Sequence, residues 1–157
     1  DTFSLPEDTG EYEKVCAVYN WLAQNVKYDT VHKKNEYYTL KSTAYGALIN
    51  HRAVCQGYAV AMYRLLMELG VECHIITGDG ITGGSSEYHA WNIVKIGDLF
   101  YYADPTWNYT VRDEDYFLKG SKDFADHIPA DDFTGIYQIA ETGYSYDSDA
   151  LSGQEVF

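Results

Sequence analysis

The order of the apolar patterns predicts an α+β domain, with helices first and an antiparallel sheet after them. Three observations carry this. Apolar residues recur at helical spacing over Glu11–Val26 and again over Cys55–Leu69. Short runs rich in β-branched and aromatic residues follow at 71–78, 89–96 and 99–103. Gly97-Asp98 separates the last two runs at hairpin spacing, so those strands fold back on each other. A block of helices followed by a block of strands segregates them to one face of a sheet.

Taken in order, residues 1–10 carry Pro6, Gly10 and acidic residues and read as a surface lead-in. In the first helix Val15, Val18, Tyr19, Leu22 and Val26 form the apolar stripe, and Glu11 and Glu13 suit the positive end of its dipole. Residues 28–40 are polar and tyrosine-rich without a period, which predicts a long loop. Ser42 or Thr43 can cap a short helix over Ala44–Ile49. Ala59, Met62, Tyr63, Leu66 and Met67 form the buried stripe of the central helix, and Gly70 stops it. Four glycines between Gly78 and Ser86 predict a flexible turn or loop, which makes His89 the start of the second strand. Asp104-Pro105 ends the third strand. Beyond Asn108 the chain turns acidic and loop-rich, with Asp113, Glu114 and Asp115 reading as a solvated face and the last fifteen residues as loosely tethered.

One domain, 1–157, accommodates all of this, with a core at about 11–108 and a C-terminal part at 109–157. A 157-residue chain of 17.8 kDa fits one domain. Hydrophobic residues at 46% and charged residues at 22% exclude wholesale disorder. Eleven basic against 24 acidic residues, a formal net charge of −13, leave no basic stripe for phosphates. Nucleic acid is therefore not an expected partner, and docking on anionic lipid is disfavoured too. No run of 18 apolar residues exists, so membrane insertion is not expected. Three cysteines are an odd number, too few for a disulfide framework, and no CxxC or HxxxH spacing suggests a metal or other cofactor. Surface acidity and 16 tyrosines suggest a secreted or cell-surface setting.

Cys55 stands where loop becomes helix. Unpaired N–H groups and the helix dipole favour a thiolate there, whereas a lone cysteine is otherwise a small buried hydrophobe. The hairpin brings His89 and Asp104 to the same end of paired strands, a carboxylate beside an imidazole. With Cys55 above that end, the set is nucleophile, base and orienter. The same thiol, imidazole and carboxylate are also competent zinc ligands. Cys73 and His74 alternate across a strand and cannot share a metal. Cys16 and Cys73 read as packing. His32, His51 and His127 fall in loops with no visible partner.

The stretch Ala53-Val54-Cys55-Gln56-Gly57-Tyr58-Ala59, then His89-Ala90-Trp91-Asn92, then Asp104-Pro105-Thr106-Trp107, resembles the transglutaminase-like core of the papain-like cysteine acyltransferases and peptidases, bacterial type. The resemblance covers about Tyr12 to Asn108, with His89 34 positions after Cys55 and Asp104 15 after His89. It implies a papain-like transglutaminase core whose nucleophile starts a helix packed on the antiparallel sheet. It also implies that Cys55 is the nucleophile, His89 the general base and Asp104 the orienting carboxylate. Gly57 and Tyr58 match helix-start residues, and Trp91 and Trp107 match aromatics walling the site. Asn50, Gln56 and an aromatic N–H or O–H are candidates for the second oxyanion donor, beside the Cys55 backbone N–H. His51-Arg52 stand where bacterial relatives often carry glycine and a basic residue. The implied activity is acyl transfer on amide bonds through a thioester, as a cysteine peptidase or amidase. Its partners are a protein or peptide amide donor and an acceptor that is water or an amine. The alternative is a non-catalytic binding or scaffolding domain of a larger surface protein.

Overall fold

A computed structural model describes residues 4–111 and 116–145 of the chain. Helix α1 spans Glu11–Asn25 and buries Val15, Val18, Tyr19 and Leu22, the apolar stripe of the sequence. Strand β1, Lys27–Tyr28, pairs in parallel with β2, Arg52–Ala53. Between them lie turns, a 3₁₀ turn at Thr39–Ser42 and helix α2, Ala44–Leu48. The Thr43 hydroxyl oxygen accepts from the Gly46 N–H at 3.1 Å, so Thr43 rather than Ser42 caps α2.

Helix α3, Cys55–Glu68, buries Tyr58, Ala59, Ala61, Met62 and Leu66. Burying a side chain such as Leu66 in full is worth about 1.5–3 kcal/mol, so this stripe fixes which way α3 faces. Tyr63 and Leu69 are half-buried, and Met67 is exposed, contrary to its place in the predicted stripe. The rotation fits a helix period of 3.6: Met67 follows Leu66 by 100° and leaves the buried arc. Cys16 is also only half-buried rather than in the core.

The sheet order is β5-β4-β3-β6, with β3 Cys73–Thr82, β4 Ser85–Ile96, β5 Leu99–Ala103 and β6 His127–Pro129, all antiparallel neighbours. One face packs on the helices through Cys73, Val94, Ile96 and Ala103. The other carries Ile76, Trp91, Ile93, Phe100 and Tyr102, covered by Phe124 and Phe133 of the C-terminal part.

Three expectations need correction. The glycine-rich stretch is a turn only at its centre, and the rest of it is strand. Pairing continues from Cys73↔Val94 to Thr82↔Ser85, and only Gly83 and Gly84, both at positive φ, make the turn. Gly78 and Gly80 serve close approach instead: a Cβ at Gly78 would meet the Ile128 carbonyl oxygen, and one at Gly80 would lie 2.7 Å from the Trp107 ring. His89 is therefore a mid-strand residue, opposite Gly78. Asp104-Pro105 ends β5 but also starts helix α4, Pro105–Val111, where proline suits the first helical position.

The C-terminal part is likewise more ordered than its composition suggests. It adds β6 and covers a sheet face. Tyr144 stacks on Tyr12 at 5.1 Å, and its N–H donates to the Leu118 carbonyl at 2.9 Å. The cluster Asp113, Glu114 and Asp115, and residues 146–157, lie outside the described residues. No helix among the described residues is long and apolar enough to cross a membrane.

Candidate active site

Gly57 sets the position of Cys55. A Cβ there would lie 2.6 Å from the Lys41 carbonyl oxygen and 2.7 Å from the Ala53 methyl, so only glycine lets the first turn of α3 seat against that backbone. The Val54 N–H donates to the same Lys41 carbonyl at 2.9 Å. Lys41 is held in turn, its ammonium donating to the carbonyls of His32, Lys33 and Asn35 at 2.9, 3.0 and 2.6 Å. The result is a rigid rim around a cavity of about 390 Å³, which Cys55, Gln56, His89, Thr106 and Trp107 line.

His89 Nε2 donates to Asp104 Oδ2 at 2.6 Å, a short charge-assisted bond. Asp104 is fully buried and its other oxygen accepts the Trp107 N–H at 2.9 Å, so the first turn of α4 fixes the carboxylate. The Trp107 ring stacks on His89 at 5.0 Å. Burial is the largest single influence on His89 and disfavours its charge. Hydrogen bonding to Asp104 and to Cys55, together with the charge on Asp104, outweighs it and pushes the His89 pKa up from 6.5 to about 9. Burial likewise works against the Asp104 charge, but the His127 and His89 hydrogen bonds hold its carboxyl below the ordinary value of 3.8.

Asp104 Oδ2 has a second partner. His127 Nε2 lies 2.7 Å away. His89, Asp104 and His127 form a group of three metal-competent donors within 4.8 Å of one another, and Cys55 is not part of it. Their spacings are those of two N–H groups sharing one acceptor. A metal held by the three would displace both protons and, with ligand bonds of about 2.0–2.2 Å, would set each nitrogen roughly 3 Å or more from the oxygen, beyond the present 2.6 and 2.7 Å.

The model of the transglutaminase-like superfamily matches residues 4–105. The chain belongs to that superfamily. No curated protein matches it. Among solved structures it is similar to a TGase, with TM-score 0.53 and 21% identity over 64% of this chain and 28% of that one. It is also similar to a candidate cysteine protease from Cytophaga hutchinsonii, with TM-score 0.51 and 23% identity over 60% of this chain and 31% of that one. The chain thus spans less than a third of either structure, and at these identities the likeness is one of fold.

Within this transglutaminase-like domain the other candidates separate. Gln56 and Trp107 line the cavity; Asn50, Tyr58 and Trp91 do not. Asn50 is exposed. Tyr58 is fully buried and its hydroxyl donates to the Val26 carbonyl at 2.8 Å, tying α3 to the end of α1. Trp91 is fully buried in the second core, with an indole N–H that has no hydrogen-bond partner among the described residues. Asn92 braces helix to sheet through the Ala59 carbonyl at 3.0 Å.

The histidines expected to lack partners have them. His32 Nδ1 lies 2.9 Å from Asp29 Oδ2, and the His51 ring sits 5.9 Å from that of Trp21. His127 is the larger omission, since it is buried against Asp104. The local signal was Asp126-His127 beside Ile128-Pro129, a strand-like fragment too short to stand out in a polar stretch.

Proposed function

We propose that this chain performs cysteine-dependent acyl transfer on amide bonds, with Cys55 as nucleophile, His89 as acid and base and Asp104 as its orienting carboxylate. The observation that carries the reading is one cavity lined by a helix-start thiol and a histidine bonded to a fully buried carboxylate. Asp104 engages Nε2, which leaves Nδ1 to exchange a proton with the thiol. The Cys55 sulfur attacks the amide carbon, forming a C–S bond as the C–N bond breaks. His89 delivers its proton to the departing amine. Water then attacks the thioester carbon, giving its proton to His89, and Cys55 leaves as the carboxylic acid forms. An amine in place of water gives a new amide by the same steps.

The Cys55 N–H and the Gln56 side chain are the donors we assign to the developing oxyanion, Gln56 because it lines the cavity. Water as the acceptor makes the chain a peptidase or amidase on protein or peptide substrates. The test incubates the protein with casein, with and without dansylcadaverine. Hydrolysis releases ammonia or peptides without the amine, whereas crosslinking fixes the fluorophore. Neither product, or equal product from Cys55→Ser, would refute the reading.

A further inference from the structure

His127 stands between two carboxylates. Its Nε2 lies 2.7 Å from Asp104 Oδ2 and its Nδ1 2.9 Å from Asp126 Oδ1. An ionised carboxylate only accepts, so Asp104 Oδ2 is shared by the Nε2 hydrogens of His127 and His89. The His127 side chain is fully buried. Phe124 stacks on it at 3.8 Å, Trp107 lies at 4.4 Å and Trp91 presents an edge at 4.9 Å, so the ring cannot turn away.

The outer end of this chain of groups is wet. The Asp126 side chain is 35% exposed. Its Oδ2 accepts from the Tyr116 hydroxyl at 2.8 Å. It also lines a second cavity of about 350 Å³ with Tyr116, Lys119 and Asp123. Asp126, His127, Asp104 and His89 therefore run from one cavity to the other. The titratable groups facing His127 are Asp104, Asp126, His89 at 5.5 Å and Tyr116 at 5.7 Å, with Lys119 and Asp123 beyond Asp126.

We propose that His127 is a positioning residue of the cysteine site: by bridging Asp104 and Asp126 it fixes the carboxylate that orients His89. The proposal rests on the thiol reading above. It makes the C-terminal part a structural arm of the site, because His127 belongs to β6 and Phe124 and Asp126 immediately precede it.

His127→Phe keeps an aromatic ring in the box and deletes both hydrogen bonds. Asp126→Asn removes only the outer charge. The readout is NMR titration of the His89 ring, assigned with His89→Ala, together with the rate of Cys55 alkylation by iodoacetamide at pH 6. With one competing donor gone from Oδ2, Asp104 binds the His89 proton more firmly. The His89 midpoint, about 9 in the wild type, should move upward by about one pH unit in His127→Phe. Asp126→Asn, which weakens the outer anchor of His127 but keeps its donor on Oδ2, should move it by less. Alkylation should slow about tenfold in His127→Phe as the imidazole loses its alignment.

A His127→Phe protein that melts lower yet keeps the wild-type midpoint and alkylation rate would reduce His127 to packing and overturn the proposal. If that variant fails to fold, Asp126→Asn decides, and an unmoved midpoint overturns it. His89→Ala that alkylates like the wild type sinks the thiol reading instead, and the two failures are told apart by which variant leaves the rate unchanged.

Discussion

Stability should fall as pH rises from 6 to 9.5, and His89 should be the reason. Its pKa is about 9 in the folded chain against 6.5 for the free side chain. The folded state therefore binds the proton more tightly than the unfolded state. The contribution is fully present below pH 6.5 and is lost as pH climbs through about 9. At 1.36 kcal/mol per pH unit, the raised pKa corresponds to about 3 kcal/mol, a large share of the 5–15 kcal/mol typical of a domain. The side chain is only 7% exposed, so solvent screening does not dilute this much. The assay is urea denaturation at pH 6, 7.5, 9 and 9.5 on wild type and His89→Ala. The quantity to read is the difference between their slopes against pH, since every other group is common to both proteins. We expect the wild type to lose about 3 kcal/mol more than the variant across the window. Parallel pH profiles would mean that Asp104 and Cys55 do not hold the imidazolium, and the account of the site's electrostatics would be wrong.

Four further outcomes follow. On the acid side, Asp104 should contribute stability that is present above pH 3.8 and lost as pH falls below it, so acid melts of Asp104→Asn should be flatter than those of the wild type. Iodoacetamide at pH 6 should label Cys55 first by peptide mass spectrometry: burial pushes the Cys73 thiol up to about 12, leaving about one thiolate in a million there, and burial also raises Cys16. Leu66→Ala should cost about 2–5 kcal/mol in denaturant melts, because Leu66 is fully buried between α3 and its neighbours. Gly80→Ala should cost about 1–3 kcal/mol and slow Cys55 alkylation, because the new Cβ would press on Trp107 at 2.7 Å and on His89 at 3.3 Å.

Much of this was legible because the signals are local. The α1 stripe, the Gly70 stop and the Gly97-Asp98 turn each depend on neighbours within a few residues. The pairing of His89 with Asp104 was legible for the same reason, since one hairpin turn sets the register that joins them at 2.6 Å. The glycine-rich stretch misled because glycine has two physical meanings. Gly83 and Gly84 need positive φ and make a turn, whereas Gly78 and Gly80 need only the absence of a Cβ inside a strand. Composition cannot separate these; the atoms that would collide come from residues 107 and 128.

His127 was illegible for a deeper reason. Its role depends on Phe124, Trp107 and Trp91 closing a box around it and on a carboxylate 23 residues earlier in the chain. None of those neighbours shares a period with it. Yet the cost of burying Asp104 constrains the answer. A carboxylate at zero exposure must be surrounded by donors, and one imidazole and one backbone N–H leave acceptor capacity on Oδ2 unfilled. A third donor had to come from a segment that the hairpin does not contain. The C-terminal part supplies it, as the stretch that buries Phe124 and Phe133 on the sheet also adds β6 beside β3 and brings His127 to Asp104.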